Sequence, residues 1–216
     1  MHDACEYTSV CVRYFWIVRI MVNSGDTNRN NIFLMDQTAN PAPLGLCAFG
    51  TTTILLSLWN AGLIGISSPI FAMAIFYGGI AQIIAGLMEW KKNNNFGFLT
   101  FVSFGFFWMT FAGVLMLPAL GLAKAPQPVD LAAFLAVWGI VALGLLACTL
   151  NMHRSLQLTV LAVVLTIVLL VAAELTESGL VKLAAGLMGI VAGGLALYIG
   201  LGQVINEVHN RKIIPV

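Results

Sequence analysis

Between Asn40 and Gly62 the chain reads NPAPLGLCAFGTTTILLSLWNAG, an apolar run that carries Thr51, Thr52, Thr53, Ser57 and Asn60. On a helix Thr53, Ser57 and Asn60 share one face, because their spacing matches its turn. A Ser or Thr hydroxyl can bond back to the carbonyl one turn earlier, so it tolerates apolar surroundings. The Asn60 amide has no such cheap outlet, and neither has Gln82; both must face protein or water. Other polar side chains recur in apolar stretches: Ser103, Thr110, Thr149, Asn151, Gln157, Thr159 and Thr166. Two readings fit them, a narrow polar path through a helix bundle or ordinary bonding between helices. Asn40 before Pro41 marks a sharp helix start, and the free N–H groups and dipole of such a start favour an anion. A plain helix start fits the same residues.

No catalytic constellation accompanies these groups. GxSxG, HExxH and a Walker loop are absent. His2, His153 and His209 stand outside the apolar stretches, and Cys5, Cys11, Cys47 and Cys148 form no CxxC pair. The expectation is no catalytic residue, no metal site, no cofactor and no disulfide framework. No Asp, Glu, Lys or Arg lies midway along any apolar stretch. That argues against an internal carboxylate relay and excludes a fixed central counter-charge, although a proton can ride on the substrate. A small weak acid suits such a path, either neutral or as an anion held by hydroxyls, amides and helix N-termini. Aromatic side chains can narrow the path with apolar plugs that gate by dewetting. Glu89, beside Lys91 and Lys92, reads either as an ion-paired helix end or as the lining of an inner vestibule.

The elements that hold these groups follow from composition. The 216 residues are 60% hydrophobic and 9% charged, with a mean hydropathy of +0.95. A soluble domain carries about 25% charged residues, so these charges are too few to coat one. A net charge of +1 gives no reason to expect nucleic acid. Charges are missing from 37–88, 93–123, 131–152, 155–173 and 183–206. A membrane helix needs ~20 apolar residues, and the first gap holds two. The reading is an all-α integral membrane protein with six transmembrane helices, near 44–61, 69–90, 97–117, 130–150, 155–173 and 180–205. Glycines in helices two and six, with Gly189 and Gly193 as GxxxG, predict close helix packing.

With the N-terminus inside, Arg13, Arg19, Arg29, Lys91, Lys92, Arg154, Arg211 and Lys212 fall on the inner side, against Lys124 and Lys182 outside. Both termini are therefore expected in the cytoplasm, and the protein in the inner (plasma) membrane. Residues 1–34 are read as a disordered or spurious extension, or else as an interfacial anchor. Residues 35–216 are read as the six-helix domain.

Three motifs converge on a family. NPAPLGL at Asn40–Leu46, FYGGIAQIIAGLMEWKKNNNFG at Phe76–Gly97 and NEVHNRKIIP at Asn206–Pro215 resemble the acetate uptake transporter family of the succinate–acetate permease type. The resemblance runs from about Ala39 to Pro215. It implies six helices per protomer, a homohexamer whose protomers each have their own pore, and transport of acetate or succinate, channel-like or proton-linked. It implies a hydrophobic constriction at Phe49, Phe104 and Val163, and a selectivity position at Ala196. The polar pathway candidates are Asn40, Thr52, Thr53, Asn60, Gln82 and Gln157, with the choice between Thr52 and Thr53 open. Phe104 replaces a tyrosine of the pattern and Val163 a leucine, while Trp59 stands where relatives tend to have histidine. These departures bear on substrate range. The rival readings are a channel for ammonia or urea and a structural membrane protein without flux.

Overall fold

Prolines and asparagines set the ends of the helices, and long charge-free runs set their lengths. The computed structural model describes residues 18–21, 33–36 and 38–216. It has two units, Met1–Asn40 and Pro41–Val216. In the first, β1 (Val18–Met21) and β2 (Phe33–Asp36) form an antiparallel pair with Val18 opposite Asp36. The rest of the expected extension at 1–34 lies outside the described residues.

The second unit has six helices long and apolar enough to cross a membrane: α1 (Ala42–Asn60), α2 (Ser68–Lys91), α3 (Asn95–Ala119), α4 (Pro128–Asn151), α5 (Arg154–Thr176) and α6 (Gly179–Val208). Their ends agree with the sequence reading to within a turn. α1 and α2 each start on a proline-bearing first turn, where the missing N–H costs nothing. Asn94 caps α3, its side chain accepting from the Gly97 N–H at 3.1 Å. Asp130 closes a capping box with Gln127 at the start of α4. The last turn of α4 is a 3-10 turn, Thr149–Asn151. Inside α2, Met73–Ala81 is wound as a π-helix, which hydrophobic periodicity did not announce. Such segments are rare and concentrate at functional sites.

The helices close a ring in the order α1, α2, α3, α4, α5, α6, with α1 and α6 in the most extensive contact. That contact depends on glycine. A Cβ on Gly50 would lie 2.6 Å from the Gly193 carbonyl oxygen, and one on Gly193 would lie 2.6 Å from that of Gly50. The GxxxG pair thus packs against α1 within the protomer. The outward faces of the ring are apolar, with Phe76, Val137, Ile140 and Leu187 among the exposed side chains.

Candidate transport pathway

Two cavities lie inside the ring. The larger, about 350 Å³, opens among the start of α1, the end of α2, the start of α3, the α4–α5 turn and the end of α6. We call it the vestibule; Leu46, Gln82, Glu89, Thr100, His153 and Gln203 are among its lining. The smaller, about 50 Å³, lies between α1, α3, α4 and α5, lined by Thr53, Ser57, Asn60, Trp108, Thr166 and apolar neighbours. A water needs roughly 10–15 Å³ of such space and polar partners besides; the vestibule offers both, whereas the wall of the far chamber is almost wholly apolar.

Three residues line both cavities, and they are Phe49, Phe104 and Val163. All three are buried. The Phe49 and Phe104 rings meet edge-on at 5.4 Å between centroids. Trp108 braces Phe49 at 6.4 Å, and Phe107 braces Phe104 at 6.1 Å. Such aromatic pairs add about 0.5–1.5 kcal/mol each beyond burial. α1, α3 and α5 thus each bring one apolar side chain to a partition with polar groups on either side.

The threonines divide by face. Thr52 lies against Gly78 of the π segment, where a Cβ would come within 2.7 Å of its Oγ1. Its hydroxyl points to the Met73 carbonyl at a long 3.5 Å. Thr53 lines the far chamber instead, and its hydroxyl donates to the Phe49 carbonyl at 2.7 Å. Thr166 does the same toward Ala162 at 2.8 Å, and Thr159 toward Ser155 at 2.8 Å. These hydroxyls offer a passing solute acceptor oxygens, because their protons are committed to the backbone.

Of the remaining candidates, Asn60 lines the far chamber and Gln82 the vestibule. Gln82 is 1% exposed and its Oε1 has no hydrogen-bond partner. Gln157 is half-buried and lines neither cavity, and Ala196 is fully buried in the core. Asn40 is exposed, just before the helical unit.

Two participants were missed as site residues. Trp108 is 2% exposed, lines the far chamber, and its Nε1 has no partner. Its place one turn beyond Phe104 was the available signal, since residues four apart share a face. Glu89 is 3% exposed and lines the vestibule, which resolves its two readings toward the lining. At the far end, Lys182 lies over the Trp59 ring at 4.9 Å from its centroid and 4.0 Å from Glu174.

Comparison with known proteins agrees with this architecture. The model of the GPR1/FUN34/yaaH family matches residues 26–216. The succinate-acetate/proton symporter SatP of Escherichia coli (strain K12) is 43% identical over 178 residues, 82% of this chain and 95% of that protein. An uncharacterized protein of Methanothermobacter thermautotrophicus is 42% identical over 203 residues, 91% of this chain and all of that one. A solved structure of the bacterial acetate channel SatP superposes with a TM-score of 0.82 at 42% identity, covering 83% of this chain and 99% of that one. The chain belongs to the GPR1/FUN34/yaaH family, and the resemblance read from its motifs holds.

Proposed function

We propose that this protein moves acetate and other small carboxylates, succinate among them, across a lipid bilayer through a pathway inside each protomer. The observation that carries this is the partition. The two cavities share only Phe49, Phe104 and Val163 among the described residues. An apolar neck beyond a wet vestibule stops water and ions by dewetting, and it passes a solute that is small and briefly neutral or well coordinated. SatP, with a closely similar fold, supplies the substrate class.

The neck here has Phe104 in place of tyrosine and Val163 in place of leucine, so it is less polar and wider. That favours monocarboxylates bulkier than acetate. On this reading residues 35–216 form the transporter, with no catalytic residue and no cofactor, and Ala196 tunes selectivity by its size on α6. We place both termini and the vestibule in the cytoplasm, at the inner (plasma) membrane. Lys91, Lys92, Arg154, Arg211 and Lys212 flank helix ends on the vestibule side, against Lys124 and Lys182 at the other. A homohexamer fits the exposed apolar outer faces.

The test is uptake of radiolabelled acetate by proteoliposomes, with and without an imposed pH gradient. Acetate uptake above that of empty vesicles, competed by propionate and not by urea or methylammonium, is expected. Competition by urea or methylammonium would instead favour the neutral-solute channel, and absent flux a structural role.

A further inference from the structure

Glu89 is the only buried charged side chain among the described residues whose burial is resolved. Its surroundings satisfy half of it. Oε2 accepts a hydrogen bond from Asn94 Nδ2 at 2.8 Å, and the same Asn94 accepts from the Gly97 N–H at the start of α3. The carboxyl therefore lies against the first turn of a long helix, whose dipole favours a negative charge. Gly97 makes room for it, because a Cβ there would stand 2.9 Å from Glu89 Cγ and 3.0 Å from Cδ. Oε1 is buried and has no hydrogen-bond partner. An unpartnered buried acceptor costs about 1–3 kcal/mol, so this oxygen is a place for a proton or a donor.

The other groups facing the vestibule leave that role to Glu89. His153 is the one other titratable side chain in its lining, and it is exposed. α1, α3, α4 and α6 contribute none; the end of α6 brings Gln203, and the last residue, Val216, also lines the space. Lys91 and Lys92, further along from Glu89, have partners of their own.

Resting on the transport reading above, we propose that Glu89 is the proton-exchange residue of the pathway. Two carboxylates close together in a shielded site do not both stay ionised. A carboxylate that enters the vestibule and comes beside Glu89 shares with Oε1 one proton taken up from water. The Oε1–H bond breaks, a bond from that hydrogen to the substrate oxygen forms, and the substrate becomes the neutral acid. Glu89 is left as a carboxylate held by Asn94 and the start of α3. The neutral acid crosses between Phe49, Phe104 and Val163, and water on the vestibule side supplies a proton again when the next carboxylate arrives. In the opposite direction the acid gives its proton to the Glu89 carboxylate and leaves as the anion, and Glu89 then releases that proton to water in the vestibule. Either way one proton accompanies one monocarboxylate, and no charged group need sit at mid-membrane.

Glu89→Gln tests this directly, since its amide oxygen can still accept from Asn94 and its NH2 imitates the protonated oxygen. Proteoliposomes containing a pH dye report protons moved per acetate, and a potassium diffusion potential reports net charge; uptake by protein-free vesicles is subtracted. In the unmodified protein acetate flux should be indifferent to the potential, with one proton per acetate. In Glu89→Gln the remaining flux should follow the potential and carry few protons, while Glu89→Asp restores coupling in part. As a readout independent of the variant's folding, infrared difference spectra of the unmodified protein with 13C-labelled glutamate should show a carboxyl band change on adding acetate. Coupling unchanged in Glu89→Gln, potential-driven flux in the unmodified protein, or no glutamate band change would each overturn the proposal. An unmodified protein that moves no acetate at all would refute the transport reading itself.

Discussion

Replacing Phe104 by Tyr puts one hydroxyl into the neck, and its effect can be worked out from the surroundings of that ring. Phe104 is buried and lines both cavities, with Phe49 edge-on at 5.4 Å and Phe107 at 6.1 Å. A hydrogen bond to a charged group is worth about 1.5–3 kcal/mol, and one to a neutral group about 0.5–1.5. Each 1.4 kcal/mol off a barrier is about tenfold in rate. If acetate crossed as the anion, Phe104→Tyr should therefore raise its flux roughly ten- to a hundredfold. If it crosses as the neutral acid, as the Glu89 proposal requires, the gain should be roughly two- to tenfold. The hydroxyl also has a cost in the empty protein, up to about 1–3 kcal/mol if nothing bonds it. Water in the adjoining vestibule reduces that cost, so thermal unfolding in detergent should change little. The assay is initial acetate uptake at limiting substrate in proteoliposomes of matched protein content. No change in rate or in the ratio of acetate to propionate flux would remove Phe104 from the barrier and refute the neck as its location.

Other outcomes follow from the same geometry. Trp108→Phe removes an unpartnered buried N–H beside the far chamber; acetate uptake should fall severalfold while thermal stability holds or rises slightly, and unchanged uptake would exclude the indole as a donor. Lys182→Gln takes a cation from beside Trp59 at the far end; uptake at low ionic strength should drop, and the difference should fade near 1 M salt, where screening reaches about 3 Å. Gly50→Ala sets a methyl 2.6 Å from the Gly193 carbonyl; the α1–α6 contact should loosen by about 1–3 kcal/mol, read as a lower unfolding temperature in detergent.

The number and limits of the spanning helices were legible because charge-free runs and proline or asparagine boundaries are local signals. Phe49, Phe104 and Val163 could be named from family motifs, but their meeting could not be read from spacing, since they stand on three helices. The π segment at Met73–Ala81 left no trace in an apolar pattern that is nearly continuous around α2. Thr52 and Thr53 point about 100° apart on a helix, but they are chemically identical, so which of them faces Gly78 and which the chamber depends on where α2 packs. For Glu89 the sequence leaves a charged helix end and a vestibule lining equally open; its burial depends on Gly97 and Asn94 folding back over it from α3.

The hydrogen bonds of the threonines bear on which form of the substrate crosses. A carboxylate leaving water gives up several donors, and an unreplaced shell around an ion is prohibitive in a medium of low dielectric. Thr53, Thr159 and Thr166 have already given their protons to Phe49, Ser155 and Ala162. Among the donors that remain in the two linings are the amides of Gln82 and Asn60, the indole of Trp108 and the hydroxyls of Thr100 and Ser57. Within the neck itself Phe49, Phe104 and Val163 offer none. An anion would therefore be stripped at the point where the path has least to give back, whereas a neutral acid can keep one bond to an acceptor oxygen such as that of Thr53 or Thr159. A neck without donors favours a solute that brings its own proton, and Glu89 stands on the vestibule side of the neck where that proton can be handed over.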